Sequence, residues 1–165
     1  MKKVTLVLLI LVSMFSVAQS RIHWTTNECL DYYGELVYFT PIEQKNSKEY
    51  YKSLTFFKGG FNIECRFIPG IDSCYEVTYI KGNVLGGGKI SEAEANYLSK
   101  INNGGKDLVF KETSFGFGPD VAIGNNIKCY NFSMVVEFLV IKSIPLGERV
   151  KAAKDKLDLS KIQGL

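Results

Sequence analysis

Apolar and polar positions alternate along much of this chain with the two-residue period of half-buried strands. Phe61, Ile63, Cys65 and Phe67 fall on one face of such a run, with Asn62, Glu64 and Arg66 on the other. Tyr51 to Phe57 alternates likewise, and Gly59-Gly60 joins the two runs as a hairpin. Tyr75 to Ile80 places Tyr75, Val77 and Tyr79 together. Tyr130 to Ile141 reads as one long strand, in which Tyr130, Phe132, Met134, Val136, Phe138 and Val140 alternate with Asn131, Ser133 and Glu137. Glu35 to Thr40, ended by Pro41, and Asp107 to Thr113 bring the total to about seven short strands, the number expected of a β-sandwich.

One helix interrupts the strands. Ser91 followed three residues later by Glu94 is a capping box, in which each side chain satisfies the other residue's free N–H. Ala93, Tyr97, Leu98 and Ile101 follow at helical spacing, and Asn103-Gly104-Gly105 closes the helix. Gly86-Gly87-Gly88 is a bend leading into it, Gly118-Pro119-Asp120 is a turn beyond it, and Gln44 to Lys48 is a polar loop. Arg21 to Gly34 reads as a loosely ordered lead into the first strand. The pattern predicts an all-β fold with one short helix, in a single domain spanning residues 19 to 145.

Within this framework, residues 87–98 (Gly-Gly-Lys-Ile-Ser-Glu-Ala-Glu-Ala-Asn-Tyr-Leu), 104–112 (Gly-Gly-Lys-Asp-Leu-Val-Phe-Lys-Glu) and Gly118-Pro119-Asp120 carry a resemblance. Over residues 75 to 141 the chain resembles the C-terminal domain of the gliding-motility protein GldM, of the type IX secretion and gliding apparatus. The resemblance implies an immunoglobulin-like β-sandwich that works as a binding or assembly module. It departs from that pattern after Gly118-Pro119-Asp120, where Val121-Ala-Ile-Gly124 stands in place of an immediate glycine. Residues 21 to 70 carry none of that family's upstream motifs.

The two ends differ from the body. Met1-Lys-Lys3 is a basic tip, Val4 to Val17 is an apolar run, and Ser16-Val17-Ala18 supplies small residues before Gln19. This is the pattern of a secretory signal peptide over residues 1–18, and the apolar run is shorter than the roughly 20 residues of a membrane-spanning helix. Residues 146–165 form a charged tail set off by Pro145, expected as a solvated terminal extension. Its loose helical spacing also fits a partner-binding or membrane-surface helix.

Charge and composition narrow the function. The whole chain carries a net +3, and loss of Lys2 and Lys3 with the leader leaves 18 basic against 17 acidic residues. A nearly neutral chain without a basic cluster lacks the electrostatic footprint of a nucleic-acid binder. Four cysteines, Cys29, Cys65, Cys74 and Cys129, follow the leader. An even count in an exported chain suggests two disulfides, with three pairings open. If Pro69-Gly70 is a two-residue hairpin loop, Cys65 faces Cys74 at a non-hydrogen-bonded position and Cys29 is left for Cys129. A Pro-Gly pair favours a type II turn, so a register shifted by one remains open, as do four buried free thiols.

No catalytic or cofactor-binding residues emerge. The single histidine, His23, would have to serve any Ser-His or Cys-His arrangement. There is no Cys-x-x-Cys pair to suggest a metal site, and the glycines before Lys89 lack the spacing of a phosphate loop. The doublets Tyr32-Tyr33, Tyr50-Tyr51 and Phe56-Phe57 each offer one ring to a core and one to a groove. The expectation is an exported, non-enzymatic protein-interaction module of the bacterial cell envelope. It would be periplasmic or secreted, without cofactor, metal or transmembrane anchor in the mature chain, and would contact an envelope or extracellular protein. A small secreted hydrolase or effector is the alternative.

Overall fold

The computed structural model describes residues 21–40, 52–68, 71–82, 88–112, 118–124, 126–133 and 137–152. The leader, the Gln44–Lys48 loop, Tyr50-Tyr51, Pro69-Gly70, Gly86-Gly87 and the tail beyond residue 152 lie outside the described residues.

The strands are β1 (Leu36–Thr40), β2 (Lys52–Lys58), β3 (Phe61–Phe67), β4 (Cys74–Lys81), β5 (Asp120–Ile123), β6 (Ile127–Ser133) and β7 (Glu137–Ser143). They form one seven-stranded sheet in the order β1-β2-β3-β4-β7-β6-β5. Every neighbouring pair is antiparallel. β1 to β4 and β5 to β7 are two meanders, joined where β7 docks on β4. Gly59 and Gly60 turn the β2–β3 hairpin at φ +61° and +82°, conformations that glycine adopts at little cost.

Two helices, α1 (Thr26–Tyr33) and α2 (Glu92–Asn102), pack against one face of the sheet, and residues 144–152 are helical as well. The chain is therefore largely β, as its alternation predicts. The expected single short helix is corrected to three among the described residues, and the described strands make one sheet. Between sheet and helices lies the core, with Phe56, Val77, Tyr79, Leu139 and Ile141 fully buried.

α1 replaces the expected loose lead. Thr25 and Glu28 form a capping box, with the Thr25 N–H donating to Glu28 Oε2 at 2.8 Å. Gly34, at φ +88°, ends the helix by donating its N–H to the Leu30 carbonyl at 2.9 Å. Tyr33 stacks on Phe56 at 5.0 Å, and the Arg21 guanidinium lies 4.3 Å from the Tyr32 ring centre. Of the doublets, Tyr33 and Phe56 enter the core whereas Tyr32 and Phe57 are exposed.

α2 carries the capping box expected at Ser91 and Glu94, and its termination by Gly104 and Gly105 at positive φ agrees with the sequence. Its inward face differs from the expected stripe: Ala95, Leu98, Ser99 and Asn102 are buried, while Ala93 and Tyr97 are exposed. Polarity misleads here because Asn102 earns its interior place by hydrogen bonding. Its Nδ2 donates to the Tyr79 hydroxyl at 3.1 Å and to the Leu98 carbonyl at 2.8 Å.

Three other expectations change. Residues 130 to 141 are a hairpin and not one strand, with Tyr130 opposite Val140 and Phe132 opposite Phe138. Residues 107 to 112 do not form the expected strand but pair with β5 through an isolated bridge between Lys111 and Val121. Pro145 sits in the first turn of a helix that follows β7 directly, where a proline lacks no needed N–H. Ser143 Oγ caps that turn, accepting from the Leu146 N–H at 3.3 Å.

Candidate functional site

The helices cover one face of the sheet; the other face bears a groove of about 670 Å³. All of its lining residues belong to β3, β4, β6 and β7. Strand alternation sends Glu64, Glu76, Thr78, Tyr130, Phe132, Phe138, Val140 and Lys142 to this side, because their neighbours Cys65, Val77, Tyr79, Cys129, Leu139 and Ile141 fill the core.

Register sorts the groove into a charged end and an aromatic end. At the charged end Arg66 faces Glu76, which in turn faces Lys142. The Arg66 guanidinium grips Glu64 with two bonds of 3.1 and 3.0 Å and reaches Glu76 Oε1 at 2.8 Å. Lys142 Nζ meets the other Glu76 oxygen at 2.7 Å. Glu76 is only 3% exposed and so depends on these two cations for solvation. Lys128 faces Lys142 directly, and both ammonium groups lie over the Tyr130 ring, at 5.1 and 6.0 Å from its centre. The ring's negative face moderates an otherwise unfavourable pair of like charges.

At the aromatic end Phe132 stacks on Phe138 at 4.4 Å, with Tyr130 continuing the stack at 6.4 Å from Phe132. Ile80 faces Phe138 across β4 and β7. The same face continues outward to Tyr38, Phe57 and Ile123, which are 63%, 53% and 66% exposed. An apolar surface of this breadth, rimmed by charge, is characteristic of contact surfaces. Both carboxylates in the groove are held in ion pairs. The sequence carried a signal for this site: β6 and β7 are apolar at both parities, Cys129, Leu139 and Ile141 on one side and Tyr130, Phe132, Phe138 and Val140 on the other.

The cysteines lie on the opposite, core face, and all four thiols are unbonded. Cys65 faces Val77, and Cys74 faces Phe67 across a β-bulge, so the register in which Cys65 faces Cys74 does not form. Cys29, Cys65 and Cys74 lie near one another in the core, close enough for each to influence the others' thiol ionisation. Cys129 sits on β6 against Ser99, in the row that runs Cys65, Val77, Ile141, Cys129. Three strand spacings thus separate it from Cys65, roughly 14 Å. Burial pushes the Cys129 thiol up to about 11.

His23 adopts a left-handed backbone at φ +81°, and its Nε2 lies 3.3 Å from Ser143 Oγ. Ser143 is 1% exposed and accepts the Leu146 N–H as a helix cap, whereas His23 is exposed. Partial desolvation lowers the His23 pKa. Among the described residues no His, Cys, Asp or Glu cluster is arranged to hold a metal, and no helix is long and apolar enough to cross a membrane.

Neither protein-family models nor curated protein sequences yield a match. Among solved structures, the chain is similar to a cysteine-rich secretory protein from Staphylococcus aureus subsp. aureus Mu50, with a TM-score of 0.47 and 12% identity. The alignment covers 76% of this chain and 45% of that protein.

Proposed function

We propose that this chain is an exported, non-enzymatic interaction module of the bacterial cell envelope, which binds a protein partner through the face of its sheet opposite α1 and α2. The observation that carries this reading is the aromatic groove Tyr130–Phe132–Phe138 beside the Glu64–Arg66–Glu76–Lys142 network. Its charges are prearranged and largely mutually satisfied, so a partner meets apolar rings without having to desolvate isolated ions. Export rests on the leader pattern of residues 1–18. The immunoglobulin-like β-sandwich that the resemblance to GldM implies for this chain belongs to the same proposal, the described strands supplying one of its sheets.

Site-directed photocrosslinking in the producing cells tests this reading. A photoreactive phenylalanine analogue at position 132 is expected to capture a discrete envelope protein, and the same analogue at exposed position 97 on α2 is not. Introducing Lys142→Glu alongside the position-132 probe is expected to abolish the capture. Equal labelling from both positions, or capture of only a second copy of this chain, would overturn it.

A further inference from the structure

Three of the four cysteines converge under α1, on the side of the sheet away from the groove. Cys29 projects from α1 into the core, while Cys65 and Cys74 rise from adjacent strands β3 and β4. The N-terminal end of the helix is fastened to the start of β4. The His23 N–H donates to the Cys74 carbonyl at 2.8 Å, the Cys74 N–H donates to the Trp24 carbonyl at 2.8 Å, and the Thr26 N–H donates to Asp72 Oδ1 at 3.1 Å.

Geometry ranks the possible bonds. Cys74 faces Phe67, two residues beyond Cys65 on the same face of β3, so Cys65 and Cys74 are diagonal neighbours. Diagonal positions in an antiparallel pair lie about 7–8 Å apart. A disulfide needs Cα atoms within roughly 4.4–6.8 Å and Cβ atoms near 3.8 Å. Although the three cysteines lie together, the backbone spacing of the two strand cysteines is thus poor for a bond between them, whereas Cys29 approaches both from the helix above.

We propose that Cys29, Cys65 and Cys74 form a thiol–disulfide exchange site in which Cys29 is the shared partner, bonding to one strand cysteine while the other stays a thiol. The co-reactant is an external disulfide, RSSR. The Cys29 thiolate attacks one sulfur of RSSR, forming a mixed disulfide and releasing RS⁻. The thiolate of Cys65 or Cys74 then attacks the Cys29 sulfur, closing the internal bridge and releasing a second RS⁻. Overall, two protein thiols are oxidised to one disulfide and RSSR is reduced to two RSH, the two protons passing from the protein thiols to the leaving thiolates. The remaining thiol of the three can attack the bridge in turn and move it between strands.

Hydrogen bonds from both neighbours pull the Cys29 thiol below its ordinary pKa, while Cys65 and Cys74 are raised, which suits Cys29 to the first attack. Cys29 is 1% exposed, so entry of the co-reactant requires α1 to open locally.

The test uses the full folded chain, reduced, incubated with oxidised glutathione without denaturant, quenched by alkylation and mapped by peptide mass spectrometry. The expected map contains one internal disulfide, Cys29 to Cys65 or Cys29 to Cys74, with Cys129 alkylated. In Cys29→Ser, internal bridging is expected to fall at least tenfold. A predominant Cys65–Cys74 link, any link to Cys129, or four alkylated thiols under excess oxidant would overturn the proposal. The wild-type map decides the matter even if Cys29→Ser fails to fold. Its outcome is also independent of the partner-binding reading, since the groove lies on the other face of the sheet.

Discussion

The two faces of this sheet are built from the same strands, yet they use apolar residues differently. Under the helices, Phe56, Val77, Tyr79, Leu139 and Ile141 are fully buried, and Asn102 among them is hydrogen-bonded to Tyr79. On the opposite face the rings of Tyr130, Phe132 and Phe138 stack on one another beside an ion network, and Tyr38, Phe57 and Ile123 stand largely in solvent. One face consumes its hydrophobic surface in folding, and the other keeps part of it in reserve. A strand that is apolar at both parities therefore need not lie between two layers of the described residues.

Substitutions that strike one face at a time test this contrast. The largest effect is expected from Phe56→Ala, a cavity beneath Tyr33, at about 3–5 kcal/mol of stability in denaturant titrations. Phe132→Ala on the groove side should cost only about 1 kcal/mol, because its ring is half-buried. Equal losses for the two would mean that both faces are core, and the contrast would collapse.

Glu76→Ala comes next. It removes the anion shared by Arg66 and Lys142, and thermal melts should show a loss of about 2 kcal/mol. Arg66 retains Glu64, and both cations can reach water, which holds the cost below that of an uncompensated buried charge.

Removing a helix cap, Thr25→Ala or Ser91→Ala, should lower stability by about 1 kcal/mol each. Neither cap touches the groove, so crosslinking from position 132 should persist in both variants. Loss of capture would show that the two faces are coupled.

The smallest effect is a pH dependence. Hydrogen bonds from Lys81, and then from Ser91, hold Glu94 down to about 2 from an ordinary 4.5. A folded-state pKa below the unfolded value gives stability that is present above about 4.5 and fades as pH falls toward about 2. Lys81→Met should raise the Glu94 midpoint in an NMR titration and flatten that part of the acid profile. An unchanged midpoint would remove the pair from the account.

Local chemistry was legible in the sequence where it completes itself within a few residues. The β2–β3 hairpin follows from alternation around Gly59-Gly60, and α2 follows from Ser91, Glu94 and the closing glycines. α1 carries the same capping box, Thr25 with Glu28, and a closing Gly34, but its eight residues give too short a stripe for helical periodicity to stand out. The reversal inside residues 130 to 141 escaped because the turn falls at an even spacing. Tyr130, Phe132, Phe138 and Val140 keep one face whether the chain runs on or doubles back. The groove's ion network depends on β4 lying beside β7, a pairing that no local pattern announces. For the same reason, the charge row on β3 was visible as Glu64 and Arg66, whereas their link to Lys142 was not.

The junction of β4 and β7 also has a kinetic consequence. Each meander is assembled from neighbours in sequence, so its loops close early and cheaply. Joining them brings Glu76 to Lys142 across a connection that includes α2, the longest closure between paired strands in the sheet. Non-local pairings of this kind generally slow folding. Until the junction is complete, two half-sheets expose unpaired edges at β4 and β7, and those edges are where a newly made chain is most open to pairing with the wrong neighbour.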